Sequence, residues 1–153
     1  MSKYILSIDA GTTGITIILF DNNANVVSKE YSEFSQIYPQ PGYVEHDPLE
    51  IWEVTKNLLS KLLKKYTGKI YSIGITNQRE TIVAWNKNTG EPIHNAIVWQ
   101  CKRTLPECNE LINKGYADLI KEKTGLVIDS YFSATKVQWL INNTHNANDL
   151  INR

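Results

Sequence analysis

The chain has 153 residues, 42% of them hydrophobic and 21% charged, which suits one ordinary globular domain with a single sizeable core. Sixteen basic residues balance sixteen acidic ones, so charge gives no basis for a nucleic-acid or anionic-membrane partner and leaves a small substrate as the expectation. With no apolar run of membrane-spanning length, and with Met1-Ser2-Lys3 leading straight into an alternating pattern, the chain is expected to be cytoplasmic, its Cys101 and Cys108 reduced and within one helix.

Residues 4–8 and 15–20 are β-rich runs separated by Asp9-Ala10-Gly11-Thr12-Thr13-Gly14, and Asp21-Asn22-Asn23 turns the chain into a third run over 26–34. Together they predict an antiparallel meander. The loop Tyr38-Pro39-Gln40-Pro41-Gly42-Tyr43 breaks regular structure before Asp47-Pro48-Leu49-Glu50, which reads as an N-cap, a proline at the first helical position and a reciprocal glutamate. In the helix that follows, Ile51, Thr55, Leu58, Leu59, Leu62 and Tyr66 make one apolar stripe, and Gly68 stops it. Strands are expected over 70–75 and 81–85, then a turn at Asn86-Lys87-Asn88-Thr89-Gly90 and an extended segment over 93–99. Helices are expected over about 104–113, 116–123 and 133–142, with Gly115 and Gly125 where a left-handed turn or C-cap is needed. Trp52, Trp85 and Trp139 lie on apolar stripes and are expected in the core, while His46 beside the helix cap reads as a loop residue and His94 and His145 carry less signal still. The fold class is therefore α/β, a mixed sheet with a three-strand antiparallel meander and flanking helices.

Two clusters carry chemistry. Asp9-Ala10-Gly11-Thr12-Thr13-Gly14 joins two adjacent strands, unlike a Walker loop, which leads into a helix. Gly11 and Gly14 let the backbone approach an anion, successive amides can cradle it, and Thr12 and Thr13 add hydroxyl donors. Asp9 is placed to hold Mg²⁺, directly or through water. Taken alone, the same residues also describe a plain hairpin turn. The second cluster, Thr76-Asn77-Gln78-Arg79-Glu80-Thr81, follows a strand at the sheet edge where open α/β folds bind ligands. A guanidinium and a carboxylate side by side can engage neighbouring hydroxyls of a polyol, although a structural ion pair of Arg79 and Glu80 would read identically.

The strand-loop-strand context of Asp9 to Gly14 is similar to the first phosphate loop of the actin-like, ribonuclease-H-like ATPase superfamily, which includes actin, the heat-shock chaperone ATPases and the sugar kinases. Gly74-Ile75-Thr76-Asn77-Gln78-Arg79-Glu80-Thr81, Asn95-Ala96-Ile97-Val98-Trp99-Gln100 and Thr124-Gly125-Leu126-Val127-Ile128-Asp129 then resemble successive signatures of the glycerol kinases. Pro41-Gly42-Tyr43-Val44-Glu45-His46-Asp47-Pro48 and Tyr131-Phe132-Ser133-Ala134-Thr135-Lys136 extend the likeness, in order, from Tyr4 to about Leu140.

The resemblance implies ATP-dependent phosphorylation of glycerol, with ATP, ADP and glycerol as small-molecule partners, and Mg²⁺ as cofactor. It implies that Arg79 and Glu80 hold glycerol hydroxyls, that Tyr131 gives another hydrogen bond, that Trp99 forms an apolar wall and that Gln78 lies nearby. Gly11, Thr12, Thr13 and Gly14 fall to the nucleotide phosphates and Asp9 to the metal. Two departures stand out: Ala10 where many glycerol kinases carry Gln, and Gly14-Ile15-Thr16 where they carry Ser-Ser-Arg, which removes an arginine able to reach the phosphates. The family's catalytic base, an aspartate, belongs to a later segment, so no catalytic residue is expected in this chain, which by itself is expected to be inactive. Residues 1–153 are accordingly expected to be the first domain of a two-domain sugar kinase, interrupted before its end, since Asn148-Asp149-Leu150 reads as the start of a further helix and the second domain is absent. A homo-oligomer is implied by resemblance. The alternatives are a kinase for another polyol or ketose, or a non-catalytic nucleotide-binding module of the actin or chaperone kind.

Overall fold

In the computed structural model, which describes residues 3–66 and 69–144, strand β1 (Lys3–Ala10) alternates as a half-buried strand should, with Leu6 and Ile8 turned inward. It pairs antiparallel with β2 (Gly14–Phe20), from Ile5 opposite Phe20 to Ala10 opposite Ile15. The turn out of β2 is built on Asp21, whose Oδ1 accepts from the amides of Asn23 at 2.8 Å and Asn25 at 2.9 Å. Strand β3 (Val26–Glu33) then lies antiparallel to β2, completing the predicted meander.

Helix α1 (Pro48–Lys65) begins as its first four residues dictate: Asp47 caps it by accepting from Leu49 N at 2.8 Å, and Pro48 fills the first turn. The reciprocal glutamate does not form. Glu50 instead accepts from both the amide and the hydroxyl of Ser35, each at 2.9 Å, because that loop offers two donors to one carboxylate. Leu58 and Leu62 are buried against Leu6, Ile8, Ile15, Ile17 and Leu19, with Ile51, Leu59 and Tyr66 packed around them. Strand β5 (Lys69–Thr76) returns parallel to β1, so the sheet order is β3-β2-β1-β5. As the outermost strand in that order, β5 leaves Ile73 and Ile75 exposed.

One sizeable core is what the length predicts, yet the chain forms two compact units: one runs to Gln36 and resumes over Asp47–Gln78, the other takes Ile37–His46 and the chain from Arg79 onward. The second unit holds the two-stranded pair β4 (Glu45–His46) and β6 (Ala96–Ile97), then α2 (Leu105–Asn113), α3 (Ala117–Thr124) and α4 (Ser133–Asn143). Its core is Ile97, Cys101 and Leu140, with Tyr43, Val44, Ile82, Ala84 and Trp139 packed on it. The three helices fall within a residue or so of expectation, and Gly125 caps α3 in the left-handed conformation at φ 74°.

Several expectations need correction. The strand over 81–85 is reduced to two isolated bridges, Ile82 with Ile97 and Trp85 with Pro92. The extended segment over 93–99 shrinks to β6, and His46, expected in a loop, lies in the two-residue strand β4. Cys101 precedes α2, so the two buried free thiols do not share a helix. Trp52 and Trp85 are exposed, at 56% and 59%, and of the three expected core tryptophans Trp139 alone packs on a core. Gly68, His145 and the helix expected from Asn148-Asp149-Leu150 lie outside the described residues. Among the described residues no helix is long and apolar enough to cross a membrane.

A buried charge lies inside the second unit. Arg103 donates to Glu45 at 2.5 Å, Asn95 donates to the other carboxylate oxygen at 2.9 Å, and the guanidinium packs over the rings of both Tyr43 (4.3 Å) and Trp139 (4.4 Å).

Candidate functional site

In the first unit, the loop between β1 and β2 is Gly11-Thr12-Thr13, closed by Gly11 N donating to Gly14 O at 3.1 Å. Two glutamines hold it from behind. Gln78 Nε2 donates to Gly11 O at 2.9 Å and Gln36 Nε2 to Thr12 O at 3.1 Å, so the tip is shaped by side chains 67 and 24 residues away in sequence. Gln78, expected on the polyol side, thus belongs to the unit that carries the loop.

The loop glycines are also constrained by their packing within the sheet. Neither has a positive φ. Gly14 is buried, and a Cβ there would lie 2.5 Å from Ser32 O and 2.8 Å from Tyr31 Cε2, so the residue is small because β3 presses on it. A Cβ at Gly11 would meet Gly14 O at 3.3 Å, a tight fit across the loop. Thr13 is exposed at the tip. Asp9 is exposed near the end of β1, opposite Thr16 on one side and Thr76 on the other.

The second unit gathers Glu80, Trp99 and Tyr131. Among the described residues Glu80 is one of two non-glycine residues with positive φ, at 64°, a conformation costing a residue with a Cβ about 1–2 kcal/mol. Its carboxylate accepts from Ser133 Oγ at 2.7 Å and its carbonyl from Lys136 Nζ at 2.9 Å. The Trp99 amide donates to Thr81 Oγ1 at 3.2 Å, tying the tryptophan to the residue after Glu80. The Trp99 ring meets the Tyr131 ring edge-on at 5.8 Å, and Tyr131 meets Phe132 at 5.1 Å. Asp129 Oδ1 accepts from Tyr131 N at 2.6 Å, and the Tyr131 carbonyl accepts from Lys136.

Arg79 is exposed and forms no ion pair with Glu80 among the described residues. This removes the structural ion-pair reading left open by the sequence. Arg79 is in solvent, while Glu80 is half-buried on left-handed backbone with one carboxylate oxygen taken by Ser133. Trp99 and Tyr131 are both half-buried.

The model of the FGGY family of carbohydrate kinases, N-terminal domain, matches residues 4–152. The chain belongs to this family. Among the relatives of this FGGY chain, glycerol kinase 2 of Thermotoga maritima is 57% identical over 144 residues, 92% of the chain but 29% of that protein. Among solved structures, a Plasmodium falciparum glycerol kinase with ADP superposes with a TM-score of 0.93 at 37% identity, over 99% of this chain and 31% of the other. A gluconate kinase of Lactobacillus acidophilus superposes with a TM-score of 0.86 at 27% identity, over 94% of this chain and 29% of the other. The FGGY chain therefore spans about three tenths of the length of these proteins, and its fold is the actin-like one expected from the loop context.

Lys136 and Ser133 of this FGGY domain had no role in the sequence reading, although both fall in a quoted motif. A usable signal was present: Lys136 is four residues before Leu140 on α4, so a charged residue occupies an inward helical position. It is fully buried.

Proposed function

We propose that this FGGY chain supplies the polyol-binding and phosphate-binding part of an ATP-dependent glycerol kinase. The observation that supports glycerol most is Glu80, held on strained backbone by Ser133 and by Lys136, which also bonds the Tyr131 carbonyl, with exposed Arg79 next to it in sequence. A neutral triol needs groups that donate and accept at adjacent hydroxyls and an apolar wall for its carbon chain. Arg79 donates, Glu80 accepts, the Tyr131 hydroxyl gives a further hydrogen bond and Trp99 covers the carbons.

On the phosphate side, the Gly11 to Gly14 loop presents Thr12 and Thr13 hydroxyls to the nucleotide, and Gln78 steadies the loop through Gly11 O. Asp9 is the group that would hold Mg²⁺. Among the described residues no three potential metal ligands cluster, and one exposed carboxylate suits an ion that keeps several waters and takes its remaining oxygens from phosphates. When bound, the ion neutralises phosphate charge. Phosphoryl transfer further requires a carboxylate to take the hydroxyl proton. We place that base in the part of the relatives' length that this chain does not span.

Arg79→Ala in the full-length protein tests the reading. Loss of a charged hydrogen bond to substrate is expected to raise the glycerol KM by roughly tenfold or more, with the nucleotide KM little changed. Unchanged glycerol kinetics would remove Arg79 from the site, and a ketose or gluconate preferred over glycerol in the same assay would overturn the substrate.

A further inference from the structure

The first turn of α4 reaches back across more than fifty residues of sequence to Glu80. Ser133 Oγ donates to Glu80 Oε2 at 2.7 Å, and the Lys136 ammonium donates to the carbonyls of both Glu80 and Tyr131. We propose that this turn is the positioning device of the polyol site: Ser133 aims the Glu80 carboxylate, and Lys136 fixes the backbones of Glu80 and Tyr131 to one another. The proposal rests on the reading that Glu80 and Tyr131 touch the polyol.

Three features argue for positioning rather than ordinary packing. First, Lys136 is fully buried, and a buried ammonium is unfavourable unless its protons are accepted, so an apolar side chain would fill this space at less cost. Secondly, its acceptors are two main-chain carbonyls, so the bonds fix backbone geometry instead of merely neutralising charge. Thirdly, one of those carbonyls belongs to a residue in the left-handed conformation, which persists when its surroundings over-determine it. Burial lowers the affinity of Lys136 for its proton, and the negative charge of Glu80 works against that loss. Ser133 adds the orienting bond on the side chain itself, so a single helical turn sets both the main chain and the carboxylate of Glu80.

The experiment compares Ser133→Ala, Ser133→Thr, Lys136→Met and Glu80→Ala in the full-length protein, reading glycerol and nucleotide KM separately. Ser133→Ala is expected to raise the glycerol KM about three- to tenfold, with the nucleotide KM within about twofold and Ser133→Thr near the parent. Lys136→Met should raise it at least as much, and Ser133→Ala added to Glu80→Ala should raise it no further, since both act through one carboxylate. Should Lys136→Met fail to fold, the Ser133 and Glu80 variants decide. If Glu80→Ala raises the glycerol KM while Ser133→Ala leaves it unchanged, or raises both KM values together, the positioning proposal falls and the site reading stands. If Glu80→Ala itself leaves the glycerol KM unchanged, the site reading falls and takes the proposal with it.

Discussion

Glu80 is held in a conformation that a residue with a side chain avoids, and its neighbours Ser133 and Lys136 are what hold it there. Stability and function should therefore separate at this position. Glu80→Gly and Glu80→Ala both delete the carboxylate, but glycine relieves the φ of 64°, so the glycine variant should be the more stable of the two by about 1 kcal/mol in urea unfolding. Both should lose glycerol affinity alike. Equal stability of the two variants would mean that the strain is absent in solution. Arg79, Glu80, Trp99 and Tyr131 could be proposed from the sequence because they occur in short motifs with recognisable neighbours. Ser133 could not be, because its importance lies in a bond to a residue 53 positions away, which no local pattern encodes, and Lys136 left only the mark of a charge at an inward helical position.

The hairpin of β1 and β2 shows how an element can be predicted correctly for an incomplete reason. Its glycines read as room for an anion, yet Gly14 is the point where β2 and β3 approach too closely for a Cβ. Gly14→Ala should cost about 1–3 kcal/mol, because Ser32 O belongs to the backbone of a paired strand and cannot step aside. Gly74→Ala on β5 is the control: nothing lies within 4 Å of its Cβ position and its φ is not positive, so the change should be neutral or stabilising by up to about 1 kcal/mol. Urea midpoints for the two variants check the pair, and a Gly14→Ala protein as stable as the parent would show that β3 yields. The meander and helices were legible from alternation, turn residues and caps. Tryptophan burial was not, since Trp52 lies about 100° around the helix from Ile51 and so on the flank of the stripe, and Trp85 sits on a bridge at an exposed turn.

At the scale of the molecule, two cores replace the one that length suggests, and the smaller is built around a charge. Ile97, Cys101 and Leu140 supply few buried apolar side chains, so the Glu45–Arg103 pair and the rings of Tyr43 and Trp139 carry part of the second unit's cohesion. Burial pushes the Glu45 carboxyl up, but the hydrogen bonds from Arg103 and Asn95 and the Arg103 charge outweigh it, leaving Glu45 below the usual carboxylate range. A carboxyl lowered by folding stabilises above its unfolded value of about 4.3, and that contribution is lost as pH falls through the folded value. The parent protein should hold its stability from neutral pH down to about 5 as far as this pair is concerned, and lose it below about 4. Arg103→Met reverses the sign. With the guanidinium gone, a buried carboxylate remains without its main partner, which costs roughly 3–5 kcal/mol at pH 7. Burial then dominates and raises the Glu45 carboxyl, so taking up a proton relieves the cost. The variant should accordingly regain stability between pH 7 and pH 5, where the parent does not change by this route. Urea unfolding at the two pH values reads the slope, and a variant that weakens on acidification like its parent would show that the Glu45 charge is not what Arg103 holds in place.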